Sequence, residues 1–197
     1  MRSLLNSGAD PNFPRLPNPP PAGCFPFFRK ITMDLANSYG PTPLMLASEK
    51  GLDQFVLLLL QFGADPNLSN PNGTSPLIEA VVYRRYAVVC MLLEHGANVN
   101  QTGFNGESPL IYSAPIGDVQ ITDALLRYKA DPDVQDGDGG TALMYAAANG
   151  HIEIVALLLD ANANVDLTDL EGLRALDWAV KEKHKDIEVK LRAADVR

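Results

Sequence analysis

Thr42-Pro43-Leu44, Ser75-Pro76-Leu77, Ser108-Pro109-Leu110, Thr141-Ala142-Leu143 and Arg174-Ala175-Leu176 follow one another at intervals of 33 residues, without slippage. A second motif keeps step: Gly63-Ala64-Asp65-Pro66-Asn67, Gly96-Ala97-Asn98-Val99-Asn100, Lys129-Ala130-Asp131-Pro132-Asp133 and Asn162-Ala163-Asn164-Val165-Asp166. Two residues ahead of each triad stands a glycine, at 40, 73, 106, 139 and 172. Three motifs at one spacing define a tandem repeat, and a period of this size marks a stacked array.

One unit reads as helix, turn, helix, projecting turn. A hydroxyl residue followed by Pro starts a helix: Ser or Thr caps free N–H groups, and Pro at the first position gives up a donor that had no partner. About eight residues later comes a breaker, Gly51, Gly117 or Gly150. A more apolar second helix follows, as in Phe55 to Leu60 or Ile152 to Leu159. It closes where Gly63 or Gly96 takes the left-handed conformation. Asn162 tolerates that conformation next best, and Lys129 is expected to be strained there. The remaining residues, rich in Asn, Asp and Gly, have the composition of a turn.

Such a unit cannot bury its apolar face alone, so neighbours must stack. The pattern resembles the ankyrin repeat over nearly the whole chain, which implies an all-α solenoid of antiparallel helix pairs with β-hairpin-like turns. Full repeats fall at 37–69, 70–102, 103–135 and 136–168, with an incomplete or capping repeat at 169–197, where Lys181 to Asp186 and Glu188 are polar. Departures from the family pattern are visible. The His usual after Thr-Pro-Leu is replaced by Met45, Ile78, Ile111, Met144 and Asp177, so its polar tie between loops is missing and apolar stacking is expected to dominate. Arg84 and Lys183 replace the inter-helix glycine, and Pro115 sits late in a first helix. Carrying both Pro115 and Lys129, repeat 103–135 is expected to be the least regular.

Leu4 to Asn12 matches Leu59 to Asn67 apart from two residues, so 1–12 reads as the remnant of a truncated repeat. From Asn12 to Thr42 is 30 positions, whereas Asn67 to Ser75 is 8. The excess is an inserted loop at 13–36, rich in Pro and Phe. It reads as a solvated polyproline-like loop, as a ligand for an aromatic-lined groove, or, through Phe25, Phe27 and Phe28, as a cover for the N-terminal face.

Composition narrows the function. Sixteen Lys plus Arg against 24 Asp plus Glu give a net charge of −8, against nucleic-acid or anionic-membrane binding. No apolar run is long enough to span a bilayer, and the N-terminus carries no secretory signal. With only Cys24 and Cys90, a disulfide framework is excluded, and a reducing compartment, cytoplasmic or nuclear, is expected. His95, His151 and His184 lack metal-ligating partners at suitable spacing, and His95 and His151 are placed in ordinary surface turns. The run Asp131, Asp133, Asp136, Asp138 fails the calcium-loop pattern and reads as a solvated turn. Neither phosphate-binding loop nor nucleophile elbow occurs. The expectation is a non-catalytic protein without cofactor or metal, monomeric, that binds a protein or peptide; the alternative is a structural segment of a larger protein whose activity lies elsewhere.

Ankyrin-like arrays bind partners on the hollow face made by turns and first helices. Carried over by that resemblance, the contact residues are Tyr39, Asn72, Phe104, Asn105, Asp138 and Leu170 on turns, with Tyr83 and Ile116 at first-helix ends. A further column, Leu46, Glu79, Tyr112, Tyr145 and Trp178, serves either packing between repeats or, through its polar ring atoms, the groove. The resemblance also implies asparaginyl hydroxylation at Asn100, eight residues after Leu92, and less well at Asn67.

Overall fold

A computed structural model describes residues 40–195. The remnant at 1–12, the insertion at 13–36 with its three Phe residues, Cys24 and Tyr39 lie outside the described residues. Ten helices follow one another: α1 Pro43–Lys50, α2 Asp53–Gln61, α3 Pro76–Val82, α4 Tyr86–Glu94, α5 Pro109–Ile116, α6 Val119–Arg127, α7 Ala142–Ala148, α8 Ile152–Asp160, α9 Ala175–Lys181 and α10 Lys185–Ala194. No strand occurs among the described residues. Each odd-numbered helix packs against the even-numbered helix after it and against the next odd-numbered one; the even-numbered helices form a parallel second row. The repeats therefore stack in chain order as an all-α solenoid.

Local chemistry sets these boundaries. The hydroxyls of Thr42, Ser75, Ser108 and Thr141 each accept the N–H three residues on. Arg174 has no such hydroxyl; there Asp177 accepts the Arg174 N–H instead, at 2.9 Å. Second helices end at residues with positive φ, Gly63, Gly96, Lys129 (68°) and Asn162 (61°). Lys129 thus holds the left-handed conformation against its own Cβ, at a cost of about 1 kcal/mol.

One continuous core runs the length of the stack, with Leu77, Val88, Leu92, Ile121, Leu125, Leu143, Ile154 and Leu158 essentially inaccessible to water. Buried alanines (Ala47, Ala80, Ala114, Ala146, Ala147, Ala179) line the first-helix row, whereas the second row uses Leu, Ile and Val. Small side chains let the first helices approach one another more closely than the second helices do. A stack with one tighter row bends toward it, which makes the first-helix side the hollow one.

The repeats are also tied by polar ladders, which add to the apolar stacking. Asn67 Oδ1 accepts the Asn98 N–H at 2.6 Å, Asn100 Oδ1 accepts that of Asp131 at 2.9 Å, and Asp133 Oδ1 accepts that of Asn164 at 2.7 Å. A second ladder links three of the inter-helix turns to the first helix of the preceding repeat. Arg85 Nε donates to Glu49 O, His151 Nε2 to Pro115 O and His184 Nε2 to Ala148 O, all at 3.0–3.1 Å. His151 and His184 therefore bridge repeats, which corrects the ordinary-turn reading of His151. The missing family histidine is replaced by contacts elsewhere in the unit.

In the third repeat α5 and α6 keep the lengths seen elsewhere, 8 and 9 residues. One departure lies in the turn after Pro115. Elsewhere the residue before the second helix donates to the carbonyl five back, as from Leu52 to Ala47 or His151 to Ala146. The equivalent bond from Asp118 is missing among the described residues; Asp118 instead caps α6 through its side chain and pairs with Arg84 at 3.1 Å.

Candidate protein-binding surface

Each projecting turn is a tight hairpin. In the fourth repeat Gly139 N donates to Asp136 O and Asp136 N to Gly140 O, a four-residue turn followed by a left-handed glycine. The same pair of bonds recurs from Asn70, Gly103 and Asp169. Glycine is required at 139 for two reasons: φ is +78°, and a Cβ there would lie 2.9 Å from the Asp169 backbone. Adjacent turns are stitched by Gly137 N to Asn105 O and Leu170 N to Asp138 O.

The residue that opens each turn also holds the aromatic column. Asp136 is buried, at 7% exposure; its Oδ1 accepts the N–H groups of Asp138 and Gly140, and its Oδ2 accepts the Tyr145 hydroxyl at 2.6 Å. Asp169 repeats this, with Oδ1 on Glu171 N and Leu173 N and Oδ2 on Trp178 Nε1 at 2.8 Å. Asn70 makes the two backbone bonds alone. Gly103 has no side chain, and Glu107 serves instead, accepting from Asn105 N. The solvated-turn reading of Asp136 is thereby corrected, as is the idea that the polar atoms of Tyr145 and Trp178 face the groove: both are spent on the turns beneath them.

These contacts set the electrostatics. Burial, then the bond to Asp136 and the charges of Asp136, Asp138 and Glu107, push the Tyr145 phenol well above its ordinary pKa. Burial, then Glu107 and Glu79, do the same for Tyr112. Burial raises Glu79, with repulsion from Glu49 adding to it. Burial also opposes ionisation of Asp169, but bonds from Leu173 N, Trp178 Nε1 and Glu171 N outweigh it and hold that carboxyl below the usual value.

The turn tips carry Phe104 at 86% exposure and Leu170 at 79%, with Asn72, Asn105 and Asp138 also exposed. Tyr83, at the end of α3, is half exposed, and Ile116 and Tyr112 on α5 are half-buried. Asp138, Tyr145 and Leu170 come together with Trp178, Glu171 and Met144 around a groove of about 300 Å³ between the fourth and fifth repeats. Asn72, Tyr83, Phe104, Asn105, Tyr112 and Ile116 do not line it. Sequence reasoning placed Trp178 in the first-helix column and did not single out Asp169. The available signal was an Asp three residues before the turn glycine and nine before an aromatic, found at both 136/145 and 169/178. Asn67 and Asn100 sit in the turn ladder with their side chains engaged, Asn67 also donating to Gly96 O at 3.1 Å.

No helix among the described residues is long and apolar enough to cross a membrane. No group of three or more His, Cys, Asp or Glu placed to hold a metal ion occurs among them. Cys90 is half-buried on α4, its sulfur against the Tyr86 hydroxyl.

Paired helices every 33 residues, stacked in chain order with hairpin turns on one side, define a helical repeat solenoid. A family model described as ankyrin repeats (three copies) matches residues 22–103 and 105–194, and the chain belongs to the ankyrin-repeat family. No curated protein matches it. Ankyrin repeats generally mediate protein–protein interaction and are typically non-catalytic scaffolds.

Proposed function

We propose that this chain is a non-catalytic interaction module that binds a protein or peptide across its turn tips and first helices. The observation that carries the reading is the pair Phe104 and Leu170. Large apolar side chains left 86% and 79% exposed on hairpin tips contribute nothing to their own fold, and such residues are favoured anchors in interfaces. Around them stand Tyr83, Ile116 and the Tyr145 groove, with Asn72, Asn105 and Asp138 as a polar rim. Tyr39 belongs to the same series by its place in the repeat. The module acts as a monomer in the cytoplasm or nucleus. The second reading, a structural segment of a larger protein, is favoured by the continuous core and the two polar ladders, which would hold a spacer rigid whether or not a partner binds.

Site-specific photo-crosslinking in cells separates the two. A benzophenone residue at 104 or 170 is expected to trap a discrete partner, whereas one at Val189, also exposed, on the second helix of the last repeat, is not. Phe104→Ala with Leu170→Ala is expected to weaken capture about thirtyfold or more while changing stability by less than about 0.5 kcal/mol. Equal trapping at 104, 170 and 189, or capture indifferent to the double variant, refutes the placement.

A further inference from the structure

We propose that the groove between the fourth and fifth repeats takes an arginine-bearing extended segment of a partner protein, with the guanidinium lying on the Tyr145 and Trp178 rings between Asp138 and Glu171. This rests on the interaction-module reading and adds the chemistry of the partner.

Three independent observations converge on a cation. The first is what the groove offers. With the Tyr145 hydroxyl and Trp178 Nε1 both committed to turn aspartates, the rings are locked and present π surface rather than hydrogen-bonding atoms. Ring faces attract cations, and Met144 and Ala148 beside them suit the aliphatic stem of a long basic side chain. The second is a cation already held by one of these rings: Lys181 Nζ lies 4.0 Å from the centre of the Trp178 ring. The third is charge. Asp138 and Glu171 are exposed at the rim, and neither carboxylate makes a hydrogen bond or ion pair among the described residues. Along the same face stand Glu107, Glu79 and Glu49, one per repeat toward the N-terminus. On the five first helices the basic residues are Lys181 and Lys50, and Lys50 is paired with Glu49. An extended basic segment anchored at the groove runs onto that stripe; an acidic one is repelled along its length. Arginine is preferred to lysine because a planar guanidinium both stacks on a ring and bridges two carboxylates.

The test uses the purified full chain and a fluorescein-labelled 15-residue peptide of Gly-Leu-Arg triplets. A counterpart carrying citrulline keeps the shape and removes the charge. Trp178 is the chain's single tryptophan, so its emission reports on the groove itself. The arginine peptide is expected to bind saturably by anisotropy and to change Trp178 emission, with the citrulline peptide about tenfold weaker or more. Asp138→Asn with Glu171→Gln should weaken the arginine peptide about tenfold. Lys181→Gln should strengthen it a few-fold by removing a competing cation, which a merely apolar groove would not do. Glu153→Gln with Asp160→Asn removes two exposed carboxylates from α8 and serves as the control for general charge attraction. Equal binding of the citrulline peptide, an unresponsive Trp178, or a control variant as damaging as the groove variant overturns the proposal. If these fail while the crosslinks at 104 and 170 still trap a partner, the module stands and only its basic ligand is lost. If the crosslinks fail too, the module reading falls with it.

Discussion

Replacing Asp136 by alanine removes the acceptor of three hydrogen bonds at once: from Asp138 N at 3.0 Å, Gly140 N at 2.8 Å and the Tyr145 hydroxyl at 2.6 Å. Hydrogen bonds to a charged partner contribute about 1.5–3 kcal/mol each. Asp138 N sits on an exposed tip and finds water, so two bonds count in full, about 3–6 kcal/mol gross. Removing a buried carboxylate returns part of its desolvation cost, leaving a net loss of about 2–4 kcal/mol. Two companions separate the contributions. Asp136→Asn keeps the Oδ1 acceptor, as Asn70 does naturally in the second repeat, and is expected to lose about 1 kcal/mol. Tyr145→Phe should lose about 1–1.5 kcal/mol, and the double variant should show coupling of about 1–2 kcal/mol. Urea unfolding followed by far-ultraviolet circular dichroism and by Trp178 emission measures all of these. Because each repeat touches only its neighbours, Asp136→Ala is expected to bring the Trp178 transition to lower urea than the dichroism transition. A loss below about 0.5 kcal/mol, or Asp136→Asn as costly as the alanine, refutes the argument that a buried, charged acceptor organises this turn.

Other substitutions test the remaining structural claims. Lys129→Gly relieves a left-handed lysine and should raise stability by about 0.5–1 kcal/mol, with Gly96→Lys lowering it by a similar amount in the same urea titration. Asn67→Ala breaks a rung of the turn ladder and should cost about 1–2 kcal/mol, whereas Asn67→Asp, mimicking Asp133, should recover most of it in thermal melts. Asp169, whose pKa is held below its ordinary 3.8, contributes stability that is fully present above that value and is lost as pH falls through its folded-state pKa. The melting-temperature advantage of the native chain over Asp169→Asn should therefore be constant above about pH 5 and dwindle below pH 3.8.

The repeat was legible because its punctuation is local. A hydroxyl three residues ahead of a free N–H caps a helix wherever it occurs, so Thr42, Ser75, Ser108 and Thr141 declare their helices from sequence. Lys129 betrays its backbone because it stands where glycine stands in step. The ladders were not legible, because the partner is backbone: Asn67 accepts an N–H at position 98, and His151 donates to a carbonyl at 115, atoms that every residue carries. Only stacked coordinates show which repeats put a suitable side chain opposite them. The aromatic column stayed ambiguous between packing and binding for a related reason. Tyr145 and Trp178 do both: each polar end is spent on a turn, and each ring still borders the groove.

That division of labour falls on neighbouring residues of the same turn. In Asp136-Gly137-Asp138-Gly139 and Asp169-Leu170-Glu171-Gly172 the first acid is consumed by the fold and the second is left free at the rim. The position of the second acid is Asn72 and Asn105 in the two preceding repeats, where the turns close equally well without charge. Folding therefore does not require a carboxylate there. The two repeats that supply one are the two that enclose the groove, and the only cation of α9, Lys181, is drawn onto the Trp178 ring. A charge that the turn does not need, placed beside a ring whose polar atom is already taken, is best accounted for by what it attracts from outside.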